Sequence, residues 1–412
     1  MDALKSIKIL NRNMKMFLVI NFIECFSMGV FMTFAGIQLK EIGYGEHFVG
    51  YILSINTLTT AAGSVFSAYI LERIGRKNSF ILGFFCIAVG SIGITMVRMK
   101  FFVIIMSVLV GFGLSVRSTA EGMFITENTA PEERVSVFSL NFAIYNLGYV
   151  VATFLGGIIS YVVAEYINPD ISIQSVFIVS TALSFMALIP IYFMKEPENH
   201  VPRSLSGCII AYKHILNTKV IKFMIFYCIV GVGAGLVVPF FSIYLKYSIG
   251  IGDAAVGSIL SFSQFGCIIG SIAIPFLVSK LGRARTVIVC QLISIPFLLS
   301  IMFPQGMILL AVSFFMRNGL MNMATPVIQN LSMELVSEDE RTNLSSVVSL
   351  ASNISRAIGI TIGGFLMESI SYNAPYFFTV VLYVTGSLIF AKIYKDDLKN
   401  TKGKINFIKK YN

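Results

Sequence analysis

Residues 63–78 read "GSVFSAYILERIGRKN", and residues 270–285 read "GSIAIPFLVSKLGRAR". Each stretch leaves an apolar segment, turns at a glycine and continues into cations. They lie 207 residues apart in a chain of 412 residues. The same offset aligns "GYGEHFVGYILS" at residue 43 with "GIGDAAVGSILS" at residue 250. Identities that cluster at loop boundaries and at glycines, all at one offset, indicate a duplicated unit.

The composition indicates a membrane protein, since hydrophobic residues make up 56% of the chain and charged residues only 13%. A water-soluble protein of this length would expose too much apolar surface. Continuous apolar runs of about 20 residues favour helices over a transmembrane β-barrel, whose strands alternate over about 10 residues. We predict an all-α membrane protein with twelve transmembrane helices. They run approximately over residues 16–39, 47–71, 79–97, 101–125, 137–163, 171–194, 220–245, 254–279, 286–304, 307–333, 344–369 and 373–394.

The distribution of Lys and Arg predicts the topology. We interpret the first run as a retained helix, so an even number of spans puts both termini on one side, and the excess of cations predicts that this side is cytoplasmic. Only Lys40, Arg98, Lys100 and Lys246 fall on the other side. Topology and anionic lipid then account for the formal net charge of +10, and no nucleic-acid partner is expected. We expect a monomer in the plasma membrane.

The duplication predicts the domains. Because each copy holds six spans, both copies enter the membrane with one orientation, and a pseudo-two-fold axis along the membrane normal should relate them. We predict an N-terminal six-helix bundle over residues 1–195, a cytoplasmic linker over 196–217 and a C-terminal six-helix bundle with a basic tail over 218–412. A binding site for a small molecule is expected near the midplane between the bundles.

The loop "ERIGRK" between spans two and three resembles the signature loop of the major facilitator superfamily, Gly-x-x-x-Asp-Arg-x-Gly-Arg-Arg/Lys. Arg73, Gly75, Arg76 and Lys77 match it, and Glu72 stands where the family has Asp. Span count, duplication and loop position agree over nearly the whole chain. The resemblance implies a transporter that works by alternating access, closest to the branch that exchanges drugs for protons.

The resemblance also implies a cytoplasmic gate, because the family's loop is thought to hold that side closed in one state. We predict a charge cluster of Glu72, Glu127 and Arg134, with membrane anchoring as the alternative role. Ser279 stands at the equivalent of Glu72 in the second copy, so its cluster should be weaker. The candidate gate residues are Glu72, Arg73, Gly75, Arg76, Glu127, Arg134, Gly282, Arg283, Glu334 and Arg341.

Ionisable groups at bilayer depth are functional candidates, since each costs several kcal/mol unless it is paired or solvated. Glu24 in span one and Arg117 in span four lie about 13 Å and about 15 Å from the cytoplasmic ends of their helices. These depths favour an ion pair, and Glu121 could compete for the guanidinium from one helical turn away. Protonation of one carboxyl would free Arg117 for the other, so the triad is a candidate proton switch. A static buried salt bridge is the alternative.

Other polar groups in the spans suit a solvated substrate cavity. Arg317 and Arg356 have no acid at similar depth in their own spans, so they could attract an anionic or sugar-like solute. The alternative is that Arg356 snorkels and Arg317 packs on carbonyls. The candidate cavity residues are Asn21, Asn56, Tyr145, Asn146, Gln264, Arg317, Asn322 and Arg356.

Departures from the antiporter pattern leave the substrate open. In span four only Arg117 carries over from the exporters' Arg-x-x-Gln-Gly pattern, and in span five "ATFLGG" keeps the double glycine but loses the proline. We expect proton-coupled efflux of amphipathic drug-like molecules. The first alternative is uptake or exchange of an anionic or sugar-like solute, and the second is a non-transporting receptor. No nucleophile, base and metal constellation occurs, so no enzymatic activity, cofactor or metal is expected.

Overall fold

The computed structural model describes residues 12–130, 133–194, 218–304, 306–337 and 340–399. The predicted linker at 196–217 and most of the predicted basic tail lie outside the described residues.

Helices make up the regular structure of the described chain. A 3₁₀ turn, Pro169–Ile171, precedes α5, and an irregular segment, Val238–Ser248, follows α6. The helices are α1 (Arg12–Glu41), α2 (Glu46–Met96), α3 (Lys100–Asn128), α4 (Arg134–Tyr166), α5 (Ser172–Tyr192), α6 (Thr218–Val237), α7 (Asp253–Leu281), α8 (Arg283–Met302), α9 (Met307–Met323), α10 (Thr325–Met333), α11 (Arg341–Ser369), α12 (Ala374–Ile393) and α13 (Lys395–Lys399).

Eleven segments of the described chain are long and apolar enough to cross a membrane. The predicted spans two and three both fall in α2, which continues through the predicted joint with one non-helical residue, Gly75, at φ 80° and ψ 173°. Gly282 at the equivalent joint has φ 81° and ψ 161°. Glycine adopts a positive φ without a Cβ penalty, which explains why both copies of the joint keep it. The predicted all-α membrane fold is confirmed.

The chain loses regular α-helical geometry after α6. Val238–Phe240 form a 3₁₀ turn, and Tyr244–Ser248 form a π-helical turn. Pro239 has no backbone N–H to donate, so one hydrogen bond of the α-helical ladder is missing at this place. The sequence "GVGAGLVVPFF" at 231–241 could indicate either a kinked gate helix or ordinary tight packing, and the structure has a break in the α-helix at this place.

The described residues divide into two compact units. The first contains the residues before position 195 together with residues 239–261, and the second contains residues 218–238 and 262–399. In the first unit α1 packs on α4 and α5, while in the second α6 packs on α11 and α12. Helices at equivalent positions of the repeat therefore have equivalent neighbours.

Aromatic side chains fill one end of each unit. In the first unit the ring centroid of Phe17 lies 5.6 Å from that of Phe80 and 5.1 Å from that of Phe124. In the second, Phe226 lies 4.9 Å from Phe390. All of these side chains are buried among aliphatic neighbours. Offset and tilted ring pairs of this kind add to the free energy of burial.

Glycines allow the closest helix crossing in the second unit. A Cβ added at Gly359 of α11 would lie 2.2 Å from the carbonyl oxygen of Val232 on α6, and one added at Gly235 would lie 2.3 Å from the carbonyl oxygen of Arg356. Both contacts are with backbone atoms, so they can be relieved only by separating the helices. Small residues in membrane helices permit such approaches.

We expect Gly359→Ala to lower the free energy of unfolding by about 1–3 kcal/mol, because the new methyl group overpacks a backbone crossing. Thermal unfolding of the purified protein in detergent measures the change. Gly122→Ala is the matched control, since Gly122 is also helical and nothing lies within 4 Å of its added Cβ. Equal melting temperatures for the two variants would contradict the tight crossing.

Candidate functional site

A closed ring of polar side chains lies inside the first unit, at the contact of α1, α3 and α4. Arg117 forms an ion pair with Glu121 at 3.2 Å, and its Nη2 also donates to Asn21 Oδ1. Asn21 Nδ2 donates to Asn141 Oδ1 at 2.6 Å, and Asn141 Nδ2 donates to Glu121. Each amide thus donates through nitrogen and accepts through oxygen. The ring ties three helices together around one charged pair.

The surroundings of Arg117 stabilise its positive charge further. Its guanidinium carbon lies 5.9 Å from the ring centroid of Tyr145, and its nitrogens lie 3.8 Å from Met28 Sδ and 3.7 Å from Cys25 Sγ. The side chain of Arg117 is only 4% exposed, compared with 19% for Glu121. Burial of a lone cation at this depth would be very unfavourable, so the carboxylate and the amides are what allow it to stay charged.

Glu24 lies outside this ring and is fully buried. Its Oε2 is 2.9 Å from Ser184 Oγ on α5, and Oε1 has no hydrogen-bond partner among the described residues. The predicted Glu24–Arg117 ion pair is not formed, because Glu121 binds the guanidinium instead. Glu121 lies one helical turn from Arg117 on the same helix, so its carboxylate can contact the guanidinium without help from another helix.

Two further hydroxyl contacts continue from Ser184. Ser27 Oγ lies 2.6 Å from Ser184 Oγ and donates to the backbone carbonyl of Ser180 at 2.7 Å. Ser27, Ser180 and Ser184 are all buried. The sequence analysis does not single out these serines, since buried serines are common in membrane helices and carry no distinctive spacing.

At Gly75, the joint within α2, the buried side chain of Arg76 forms an ion pair with Glu127 near the end of α3. Arg76 Nε lies 3.1 Å from Glu127 Oε2, and Nη2 lies 2.5 Å from Glu127 Oε1, so the guanidinium binds the carboxylate with two nitrogens. The predicted Glu127–Arg134 contact is wrong: Arg134 Nη2 donates to the backbone carbonyl of Thr126 at 3.1 Å. Arg76 follows Gly75 directly, and its Nη1 also donates to the carbonyl of Leu71 at 3.3 Å, so the guanidinium binds both its own helix and the end of α3.

The second unit repeats this arrangement at the offset of 207 residues. Arg283 forms an ion pair with Glu334, and Arg341 Nε donates to the carbonyl of Met333 at 3.2 Å. The side chains of Arg283 and Glu334 are 36% and 48% exposed, whereas those of Arg76 and Glu127 are 8% and 28% exposed. The second pair is therefore more screened by solvent and should contribute less.

Two other predicted gate residues lie beside the first joint. Arg73 is exposed and its guanidinium lies 4.8 Å from the ring centroid of Tyr69, while Glu72 is half-buried. The pair that occupies the joint is thus Arg76 and Glu127, with Arg73 and Glu72 at its edge.

The predicted cavity residues of the second unit form two groups. Asn318 Nδ2 donates to Gln264 Oε1 at 2.8 Å, and Asn322 Nδ2 donates to Asn318 Oδ1 at 2.8 Å. Arg317 is 2% exposed and donates to the hydroxyl of Tyr383 at 3.0 Å. The remaining predicted arginine, at position 356, has an exposed side chain.

Two predicted cavity residues of the first unit bond backbone carbonyls instead of joining the polar ring. Asn56 Nδ2 donates to the carbonyl of Ser107 at 3.3 Å, and Asn146 Nδ2 donates to the carbonyl of Phe142 at 2.8 Å. Both side chains are buried. These contacts fasten helices and satisfy buried amides.

A charge cluster that the sequence analysis does not propose lies in the first unit at the end opposite Gly75. Lys246 Nζ is 2.6 Å from Glu41 Oε1 and 2.8 Å from Asp253 Oδ1. Ser160 Oγ donates to Asp253 Oδ2 at 2.7 Å. One lysine thus ties the segment 239–261 to α1, and one serine ties it to α4. In the sequence, Lys246 stands out only as one of four cations predicted on the side opposite the cytoplasm.

Backbone packing reinforces this contact. A Cβ added at Gly157 of α4 would lie 2.7 Å from the carbonyl oxygen of Asp253 and 3.1 Å from the Cα of Gly257. The first of the paired glycines at 156 and 157 contacts the ring of Phe34 instead. The two glycines therefore permit close contact with different neighbours. Gly156 faces Phe34, and Gly157 faces the backbone of Asp253 and Gly257.

A duplicated set of apolar helices with glycine joints, paired charges at their ends and a buried ionised group at mid-helix defines a multi-pass membrane transport protein. The sequence model of the Major Facilitator Superfamily matches this chain over residues 17–235 and 223–410. The chain belongs to this superfamily. It is a membrane transporter of the two-bundle superfamily fold, and not an enzyme.

Individual members of the superfamily resemble the chain at low identity. Multidrug resistance protein MdtG of Klebsiella pneumoniae (strain 342) is 22% identical over 399 residues, which is 93% of each chain. NiaP of Bacillus subtilis (strain 168), named for niacin/nicotinamide transport, is 27% identical over 138 residues, 34% of this chain and 32% of NiaP. A crystal structure of the nucleoside transporter NupG superposes with a TM-score of 0.78 at 13% identity, covering 93% of this chain and all of that one.

We expect a double-mutant cycle on Arg76 and Glu127 to give a larger coupling energy than one on Arg283 and Glu334. The first pair is mostly buried and bidentate, while the second is near the range of surface pairs, about 0.2–1 kcal/mol. Glutamine replacements at each position, singly and in pairs, measured by thermal unfolding, give both values. A coupling energy for the second pair that equals or exceeds the first would contradict the difference in burial.

We also expect Lys246→Met to lower the melting temperature, because it leaves Glu41 and Asp253 close together without a cation. Adding Asp253→Asn should recover part of the loss, since one of the two carboxylates then becomes neutral. Lys100→Met is the control, as Lys100 is an exposed lysine whose ammonium lies 5.4 Å from the ring centroid of Phe48. A Lys246 variant as stable as this control would show that the cluster contributes nothing.

Proposed function

We propose that the protein is a proton-coupled secondary transporter that exports amphipathic, drug-like molecules by alternating access. The observation that carries this proposal is the buried carboxyl of Glu24 beside the separate Arg117–Glu121 ion pair. A carboxyl fully removed from water and without a paired cation is suited to bind and release a proton. The match to MdtG along nearly the whole chain supports efflux as the direction.

Arg117 would link the proton to the conformational change. When Glu24 is neutral, Arg117 would keep its bonds to Glu121 and Asn21. When Glu24 loses its proton, a second carboxylate competes for the guanidinium from α1. Transfer of Arg117 towards Glu24 would break its bonds in the ring, so the contact of α1, α3 and α4 would have two arrangements. A bistable contact of this kind is what alternating access requires.

The paired charges at the helix ends would act as the latches of this cycle. We assign the Arg76–Glu127 joint to the cytoplasmic side and the Lys246 cluster to the outer side, from the excess of Lys and Arg near the first. On this assignment both termini are cytoplasmic and the protein resides in the plasma membrane. It needs no second copy to complete the ring, because all four of its members come from one chain.

The second candidate function is uptake or exchange of an anionic or sugar-like solute. Arg317 favours it, since this arginine is buried at mid-helix and bonds the neutral hydroxyl of Tyr383. The amides of Asn318 and Asn322, close to Arg317 in the sequence, and of Gln264, which accepts from Asn318, could bind hydroxyl or carbonyl oxygens of such a solute. The names of NiaP and NupG point in the same direction for those proteins.

We expect lipophilic cations to stimulate proton movement in proteoliposomes with an imposed pH gradient, and Glu24→Gln to reduce this movement to the background of empty liposomes. The amide cannot release a proton, so coupling is lost while volume and hydrogen bonding are retained. A pH-sensitive dye in the lumen reports the flux while lipophilic cations, organic anions, sugars and nucleosides are added in turn.

Glu165→Gln serves as the matched control, because Glu165 is an exposed carboxylate near the end of α4. It should leave the flux unchanged. Stimulation by anions, sugars or nucleosides in place of cations would support the second candidate function. Absence of a response to every class would exclude proton-coupled transport.

A further inference from the structure

Four side chains that carry oxygen atoms meet inside the first unit, where α1 packs on α5. Glu24 and Ser27 lie three residues apart on α1, so they share one face of that helix. Ser180 and Ser184 lie four residues apart on α5 and also share a face. We call these four residues the oxygen cluster.

Short contacts hold the oxygen cluster together. Ser184 Oγ donates to Glu24 Oε2 at 2.9 Å and lies 2.6 Å from Ser27 Oγ. Ser27 Oγ donates to the backbone carbonyl of Ser180 at 2.7 Å. One carboxylate, two hydroxyls and one backbone carbonyl are thereby brought close together at a single helix crossing.

Two further oxygen atoms of the cluster could bind a partner. Glu24 Oε1 and Ser180 Oγ are buried, and neither has a hydrogen-bond partner among the residues that the structure describes. Glu24 itself is 0% exposed, and the three serines are each 1% exposed. Buried polar atoms are normally paired, because a bare one loses the free energy of its hydration. The cluster therefore has the capacity to bind one more group through oxygen.

The charge of Glu24 favours a cation as that group. Ser184 donates to Glu24, which is the arrangement expected of a carboxylate. A buried carboxylate with one hydrogen bond is unfavourable unless a positive charge balances it. Arg117 is close enough to act on Glu24 electrostatically, but its ion pair is with Glu121. A buried water molecule would supply hydrogen bonds without balancing the charge.

The oxygen atoms favour a small monovalent ion. Hard cations bind carboxylate, hydroxyl and carbonyl oxygens. One carboxylate balances one positive charge, so a divalent ion would leave a net charge in the interior of the helix bundle. In the described part of the chain, no three His, Cys, Asp or Glu side chains lie together as a metal site. Oxygens only 2.6 Å and 2.9 Å apart form a small cage, which suits Na⁺ better than the larger K⁺.

We propose that the oxygen cluster of Glu24, Ser27, Ser180 and Ser184 is a binding site for Na⁺. Glu24 supplies the negative charge, and the serine hydroxyls supply oxygen ligands, because a hydroxyl that donates one hydrogen bond keeps lone pairs for a cation. The sequence predicts no metal site, since hydroxyl and carbonyl ligands have no distinctive spacing. Na⁺ takes the carboxylate that the proposed function gives to the proton, so the two ions compete. This competition rests on the proposed function, whereas the binding of Na⁺ does not.

Equilibrium binding of radiolabelled Na⁺ to the purified full chain tests this inference. The protein is held in nanodiscs of zwitterionic lipid, so that the headgroups bind little Na⁺ themselves. Choline chloride keeps the ionic strength constant, and unlabelled NaCl or KCl is added as a competitor. The variants are Glu24→Gln, Ser27→Ala and Ser184→Ala. Thr33→Val is the matched control, because it removes another buried hydroxyl of α1, which contacts Thr153 Oγ1 at 3.0 Å.

We expect saturable binding that NaCl displaces and that KCl displaces more weakly. Glu24→Gln should reduce binding to the background of nanodiscs without protein. Ser27→Ala and Ser184→Ala should each weaken binding about tenfold, because each loses one ligand of a charged group. Thr33→Val should bind as the unmodified protein does. Thermal unfolding checks that each variant is folded, and Na⁺ should raise the melting temperature of Thr33→Val but not that of Glu24→Gln.

Absence of saturable binding to the unmodified protein would overturn the inference. Retained binding in a folded Glu24→Gln variant would overturn it too, as would an equal loss in Thr33→Val. Displacement by KCl as strong as that by NaCl would exclude the assignment to Na⁺. Na⁺ binding without substrate-stimulated proton flux would leave the site standing and refute the proposed coupling. Stimulated proton flux in a chain that binds no Na⁺ would do the reverse.

Discussion

An arginine buried in the middle of a membrane helix is the constraint on which the first unit depends. The cost of an ionised group at that depth is several kcal/mol, so the charge of Arg117 must be balanced locally. Glu121 balances it from the next turn of α3, and Asn21 and Asn141 complete the hydrogen bonds from α1 and α4. The packing of three helices is thereby coupled to one ion pair, and any change in that pair changes the contact of all three.

The repeat made much of the architecture predictable. The offset of 207 residues identifies Gly75 with Gly282, and the structure gives these glycines the same positive φ. It also relates the acids and arginines of the two joints, since Glu127 and Glu334 are both paired. The offset could not predict which cation pairs with each of these acids, because several cations lie within a few residues of each joint. The structure pairs Glu127 with Arg76, and this choice among neighbouring cations cannot be deduced from residue spacing.

The prediction at the buried charges has a similar limit. Spacing along the helices predicted Glu24 and Arg117 at similar depth, with Glu121 one turn away, but it could not rank two acids that compete for one guanidinium. The structure ranks them by connectivity, since Glu121 shares a helix with Arg117 and Glu24 does not. The serines of α5 were not predictable, because a hydroxyl becomes important only through what its neighbour accepts or donates. The sequence predicts the side of the membrane on which Lys246 lies, but it does not predict the ion pairs that Lys246 forms.

The two carboxyls of this region differ in what surrounds them, and this difference gives them different chemistry. Glu121 receives donors from Arg117 and Asn141, while Glu24 is fully buried and accepts one hydrogen bond, from Ser184 Oγ. In the proposed proton exchange, one acid would keep the arginine in place and the other would change its charge. Loss of the proton from Glu24 would create a second anion near Arg117, and the arginine would then have two acids between which to choose. On this proposal, the ring of side chains that holds α1, α3 and α4 together would also respond to the loss of the proton.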